Sequence, residues 1–263
     1  MYGFGIKMNN ISISISYSSP DFDQIDEVIN KAALISDDIH VSSFNKFFNG
    51  DEENLELLAK TFEKNRNKAQ FHFLEYDNVK QYNFSSDYHL YKFCHNYLRY
   101  NNILKSKYDY ILFIDSDEVV EDKEFNKFIE NLNFGEQKSY FFDVYWYFRN
   151  KKYQATTFEA SSIVMSDKRY LTQENIFSIH ERWALGVNQI IKNCRSSDNK
   201  PLFHHYSWAK GKNENECKEL LLKKVKSWGH SSDKNWPELI EEEFSRPFNG
   251  KDFVHGYSYK ILE

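Results

Sequence analysis

Proline and glycine are scarce, at four and nine residues in a chain of 263. No low-complexity linker or internal repeat interrupts the chain. Early glycine is limited to Gly3 and Gly5, ahead of the first strand-like segment, so the basic, glycine-rich phosphate loop that opens many nucleotide-handling chains is missing. The three cysteines, Cys94, Cys194 and Cys217, are odd in number and far apart, which excludes a CxxC metal knuckle and argues against a disulfide framework. A reducing compartment follows as the simpler expectation. There is no long basic block and the formal net charge is −5, so the chain carries no electrostatic footprint for nucleic acid. No stretch approaches the roughly 20 apolar residues that span a bilayer, and MYGFGIKMNN has neither the apolar run nor the cleavage site of a signal peptide. The expectation is a soluble cytoplasmic protein, with peripheral attachment to a membrane left open.

Apolar residues make up 41% of the chain and aromatic residues 17%, enough for the core of one large α/β domain with or without an extension. The pattern of the first half is regular. ISISISYS at 11–18 alternates as a strand, and Phe22, Ile25, Val28, Ile29, Ala32 and Ala33 recur at helical spacing. Residues 39–43 read as a second strand, a helix follows around Leu55, Leu58 and Phe62, and 71–76 reads as a third strand. A long aromatic helix, capped at Ser85-Ser86-Asp87, runs to about Leu104. The apolar run 110–114 is then a fourth, buried strand. This β-α-β-α-β-α-β order predicts a doubly wound, largely parallel sheet. Beyond it lie a helix over 124–132, strands over 140–148 and 161–165, and a helix over 213–228.

Asp115-Ser116-Asp117-Glu118 begins where the fourth strand ends, and ligands of open α/β sheets bind at the carboxyl ends of strands. Two carboxylates flanking one small residue suit a hard divalent cation, directly or through water. The plainer alternative is an acidic turn capping the next helix. Two further clusters stand out. LFHHYSW places His204 and His205 side by side, so on a strand only one of them faces a given site. The other is IHERW, in which Glu181 is a candidate base and Arg182 a candidate phosphate contact. An internal ion pair within a loop is the alternative there. Asp143 and Glu159 are further candidate bases, and His230 with Trp236 a candidate cover over a ligand.

Together the four-strand opening, FIDSDE at 113–118 and the later HHYSW resemble the glycosyltransferases of the GT-A fold, in particular the family 2-like group, over about residues 11–208. The resemblance implies an αβα sandwich over 1–212, with a nucleotide-sugar half to about 134, an acceptor half from 135, and a helical C-terminal extension over 213–263. It implies transfer of a sugar from a UDP- or GDP-sugar to a glycan, lipid-linked or protein acceptor. Mn²⁺ or Mg²⁺ would lie on the donor diphosphate, with Asp117 as direct ligand, Asp115 at the ribose or a metal-bound water, and His205, with His204 behind it, completing the metal set. Ser16, Tyr17, Ser43, Arg99, Ser116 and Arg182 would contact the donor. Where the family often has an acidic residue after the second strand, this chain has Ser42, Ser43 and Asn45. The Arg-Asn pair of the helix before the fourth strand is represented by Asn96, Arg99 and Asn101. Glu181 stands in for the missing acceptor motif as base of an inverting reaction. Trp183, Trp208 and Tyr145 are candidate sugar platforms. Two alternatives are a non-catalytic nucleotide- or sugar-binding protein of the same fold and a nucleotidyltransferase, the latter disfavoured by the missing glycine-rich loop.

Overall fold

In the computed structural model, which describes residues 10–79, 87–134, 138–177, 182–187, 189–227 and 233–262, strand and helix alternate through the first half of the chain. β1 (Ile11–Ser16), α1 (Ile25–Ala32), β2 (Ile39–Phe44), α2 (Leu55–Asn65), β3 (Gln70–Leu74), α3 (Asp87–Lys105) and β4 (Tyr110–Asp115) follow in the expected order. Helical crossovers let consecutive strands run parallel. β1 lies between β2 and β4, with β3 outside β2. Ile11, Ile13 and Ile15 are wholly buried and pack with Ile25, Val28 and Ile29 of α1.

The alternation of β1 suggests one wet face, yet Ser12 and Ser14 are buried as well. Ser12 Oγ donates to Asp38 Oδ2 at 2.6 Å. Asn102 of α3 donates through Nδ2 to Ser14 Oγ at 2.8 Å and to Ser42 Oγ at 2.7 Å. The polar row therefore lies under α3 with its hydrogen bonds made internally, so its burial costs little.

After β4 the chain passes through Asp115-Ser116-Asp117 into β5 (Glu118–Val120) and then α4 (Asp122–Glu130). The acidic turn is thus separated from the helix by a short strand, which sets aside the capping alternative. β6 (Lys138–Phe148), β7 (Asn150–Asp167), α5 (Gln173–Phe177), β8 (Gln189–Cys194) and β9 (Phe203–Trp208) complete the sheet. β7 runs antiparallel between β4 and β6, β9 is parallel to β6, and β5 is antiparallel to β9. The fold is mixed α/β around a sheet whose N-terminal half is parallel. The strand expected at 161–165 is the end of a much longer one.

The C-terminal extension is helical in α6 (Glu214–Ser227) and α7 (Trp236–Phe244), but it ends in a strand, β10 (Tyr259–Ile261), antiparallel to β7. Cys217, Leu221 and Val225 of α6 and Ile240 of α7 pack around Trp146, Phe148 and Trp208. All three cysteines are buried and free. Among the described residues no helix is long and apolar enough to cross a membrane.

The Trp183 ring stacks on Phe141 at 4.8 Å between centroids. Gly186 closes this contact, because a Cβ there would overlap the Phe141 ring, 2.7 Å from Cζ. Gly186→Ala is expected to destabilise the fold by about 1–3 kcal/mol through overpacking, read as a lower urea midpoint at unchanged slope.

Candidate functional site

A cavity of ≈ 240 Å³ opens at the carboxyl ends of β1, β2 and β4. One wall is flat and apolar. It is built by Phe44, at the end of β2, and by Phe47 and Phe48 just beyond it, with His95 of α3 opposite. Phe48 and His95 stack with centroids 4.7 Å apart and planes inclined by 4°. Enclosure disfavours the imidazolium and the nearby Arg99 adds to this, so His95 is pushed down to about 3 and stays neutral. Ser16 and Tyr17 line the cavity as expected. Tyr17 is fixed by a 2.9 Å hydrogen bond between its hydroxyl and that of Thr61. Ser43 is buried in β2 and does not line the cavity, because the strand's alternation turns Phe44 inward instead. Glu53, which sequence reasoning missed, accepts from Ser18 Oγ at 2.5 Å and Ser19 N at 3.2 Å and so holds the segment after β1.

The opposite wall is ionic. The end of β4 delivers Asp115, while Ser116 N donates to Ser16 O at 3.0 Å and Ser116 Oγ to Asp21 Oδ2 at 2.7 Å. β5 then pairs Glu118 with His205 of β9, and Tyr206 N donates to Asp117 O at 2.9 Å. The two motifs singled out in the sequence, about 90 residues apart, are thereby joined by one antiparallel ladder. His205 Nε2 lies 3.5 Å from Asp117 Oδ1. His204 faces the other way, as strand geometry requires, and meets the Tyr147 hydroxyl at 2.6 Å and Glu121. His204 is therefore outside the site.

Asp117 is buried among cations. Lys224 of α6 donates to its Oδ2 at 2.9 Å and to Ser207 Oγ at 2.8 Å, and Lys210 Nζ stands 3.7 Å away. Burial by itself would raise the Asp117 carboxyl, but Lys224, His205 and Lys210 hold it well below the usual carboxylate range. Lys210 is completely buried and also pairs with Asp21. Burial works against its charge, and Asp21 and Asp117 more than restore it. Burial lifts Asp115 to about 6 despite the neighbouring Arg182.

Arg182, expected at a phosphate, is committed elsewhere. It is buried, donates to both oxygens of Glu118 at 2.6 Å and to Phe113 O at 3.3 Å, and lies 3.1 Å from Asp115. The ion pair of Arg182 is made with the DxDE turn, not within its own loop. Glu118 Oε2 also accepts from Asp115 N at 2.6 Å, so the glutamate organises the turn from beneath. Arg99 lines the cavity and donates to Asn96 at 3.2 Å. Glu181 and His230 lie outside the described residues. Asp143 is held by Arg195 at 2.6 Å. Trp208 and Trp236 belong to the C-terminal core, while Tyr145 stacks on His204. Glu159 of β7 is more distinctive. Its Oε2 is buried without a hydrogen-bond partner among the described residues, and its Oε1 is 3.9 Å from His255 Nε2. Burial raises its pKa against the pull of His205 and His255.

The donor set does not fit the expected Mn²⁺ or Mg²⁺. Among the described residues no three His, Cys, Asp or Glu side chains converge on one point, and Asp117 Oδ2 is taken by the Lys224 ammonium. Lys210 and Lys224 escaped sequence reasoning because an isolated lysine after a strand, or on a helix rich in lysine, carries no local signal.

No family model and no curated protein matches this sequence. Among solved structures, S. aureus TarS (residues 1–349) is similar at TM-score 0.45 and 10% identity over 97% of each chain. HddC from Yersinia pseudotuberculosis gives 0.42 and 11% over 81% of this chain and 99% of that one. The glycosyltransferase GlyE of Streptococcus pneumoniae gives 0.40 and 12% over 94% and 67%. Likenesses this distant assign neither activity nor residue roles, which rest on the chain's own side chains.

Proposed function

We propose that this chain is a glycosyltransferase, moving a sugar from a UDP- or GDP-linked donor to a hydroxyl of a glycan, lipid-linked or protein acceptor. The observation that carries this reading is the composition of one cavity at the carboxyl ends of parallel strands. A stacked Phe48–His95 pair with Phe44 and Phe47 offers flat faces to a nucleobase, and the Asp115–Asp117 turn with Arg99 and Lys224 offers polar and cationic groups to the ribose and diphosphate.

Glu159 is the proposed base. A buried carboxylate oxygen without a donor is a group awaiting one, and an acceptor hydroxyl supplies it. In the step, Glu159 takes the hydroxyl proton and the acceptor oxygen attacks the anomeric carbon. The bond from that carbon to the phosphate oxygen breaks, and the nucleoside diphosphate leaves with the electron pair. A single displacement of this kind inverts the anomeric centre.

Thermal melts with UDP-, GDP-, CMP- and dTDP-sugars test the reading. One nucleotide family is expected to raise the melting temperature, with about 2.7 kcal/mol of added stability at a hundred times its Kd. Identical melts across the whole panel would sink it.

A further inference from the structure

Each carboxylate of the turn that carries Asp115 and Asp117 already meets a cation of the protein. Asp115 has the Arg182 guanidinium at 3.1 Å, and Asp117 has Lys224 at 2.9 Å and Lys210 at 3.7 Å. A hard divalent cation settles where anionic oxygens exceed their counter-charges and can be gathered around it. The second condition fails here, because among the described residues no three His, Cys, Asp or Glu side chains converge on one point. Lys224 is placed differently. It lines the cavity, and two of its three N–H donors are directed to Asp117 and Ser207, which leaves the third for a ligand. Lys210, wholly buried between Asp21 and Asp117, adds a positive charge beneath the floor of the cavity and lessens its repulsion of an anion.

We infer that Lys224, backed by Lys210, supplies the positive charge for the donor's diphosphate, that Asp117 anchors these lysines instead of ligating a metal, and that donor binding needs no divalent cation. The inference rests on the transferase reading of the same cavity. An ammonium is a compact point charge that binds phosphate without demanding a coordination geometry. Held by Asp117 beforehand, Lys224 turns toward the diphosphate when the donor enters, and the charge that departs with the nucleotide meets a cation already in place.

Calorimetry with UDP and GDP, in EDTA and in Mn²⁺, tests this on the full chain. The binding nucleotide is expected to show the same affinity in both buffers. Lys224→Gln should weaken it about ten- to a hundredfold, the worth of one charge-assisted hydrogen bond, and Lys224→Arg should restore most of it. Asp117→Asn should retain or tighten diphosphate binding in EDTA, because it releases the lysines from a competing anion. Should Asp117→Asn fail to fold, judged by its melt, the two Lys224 variants decide. Binding that appears only with Mn²⁺, or affinity unchanged in Lys224→Gln, overturns the inference and leaves the transferase reading standing. Absence of nucleotide binding in either buffer overturns both.

Discussion

Glu159→Gln is expected to lower kcat by about two to four orders of magnitude, the usual worth of a general base, with nucleotide affinity unchanged. The amide keeps the volume of the carboxylate but cannot accept the acceptor's proton. The acid limb of the pH–rate profile provides the sharper readout. Burial raises the Glu159 pKa above its ordinary value. Activity should therefore be full where Glu159 is ionised and fall as pH drops through that raised pKa. The limb should lie at higher pH than an ordinary glutamate gives, and Glu159→Gln should lack it. A variant that keeps both its rate and its acid limb would remove Glu159 from the chemistry. The same pair of measurements on Glu181→Gln decides between the two carboxylates.

Arg182→Met should cost about 3–5 kcal/mol of stability, the penalty for stranding buried carboxylates without their cation. For a chain of this length that lowers the melting temperature by roughly 10 °C. Glu118 is wholly buried, and Arg182 meets both of its oxygens as well as Asp115. The deficit should shrink on acidification. A carboxyl whose folded pKa is raised binds its proton more tightly in the native state, so stability rises as pH falls through that pKa, which is about 6 for Asp115 even with Arg182 present. The double variant Arg182→Met, Glu118→Leu should recover much of the loss, because apolar pairs replace buried ion pairs well. A melt of Arg182→Met at the wild-type temperature would show the cluster to be energetically idle.

The N-terminal half was legible because its information is local. Alternation in 11–18, helical spacing in 22–33 and the apolar run before Asp115 each encode one element, and the parallel order follows from their sequence. The two-residue period of a strand implied that only one of His204 and His205 faces Asp117; the resemblance favoured His205, and the ladder between β5 and β9 puts it there. What stayed hidden depends on distant partners. The first half of β7 carries Lys151, Lys152, Thr156 and Thr157, which look like loop residues until β6 and β10 are seen on either side. β5 is three residues long and exists through its ladder with β9. Arg182 resembles a phosphate ligand in isolation, and only its burial against Glu118 reveals a structural role. Ser43 stands where the resemblance expects a donor contact after the second strand, yet the alternation of β2 buries it and turns Phe44 to the cavity.

The position of Lys224 bears on how the protein comes into being. A nascent chain that has emerged as far as residue 208 holds every strand of the sheet described here except β10, with the DxD turn and His205, but α6 follows only afterward. Until that helix docks, Asp117 lacks its nearest cation and the aromatic faces of Trp146, Phe148 and Trp208 have no cover from Cys217, Leu221 and Val225. An unfinished or clipped chain therefore carries a crippled site together with an adhesive patch that chaperones and proteases recognise. The helix that brings Lys224 to the cavity also begins to hide the patch, which α7 and the segment through Tyr259 then finish covering, so completion of the cavity and burial of the patch are coupled through α6.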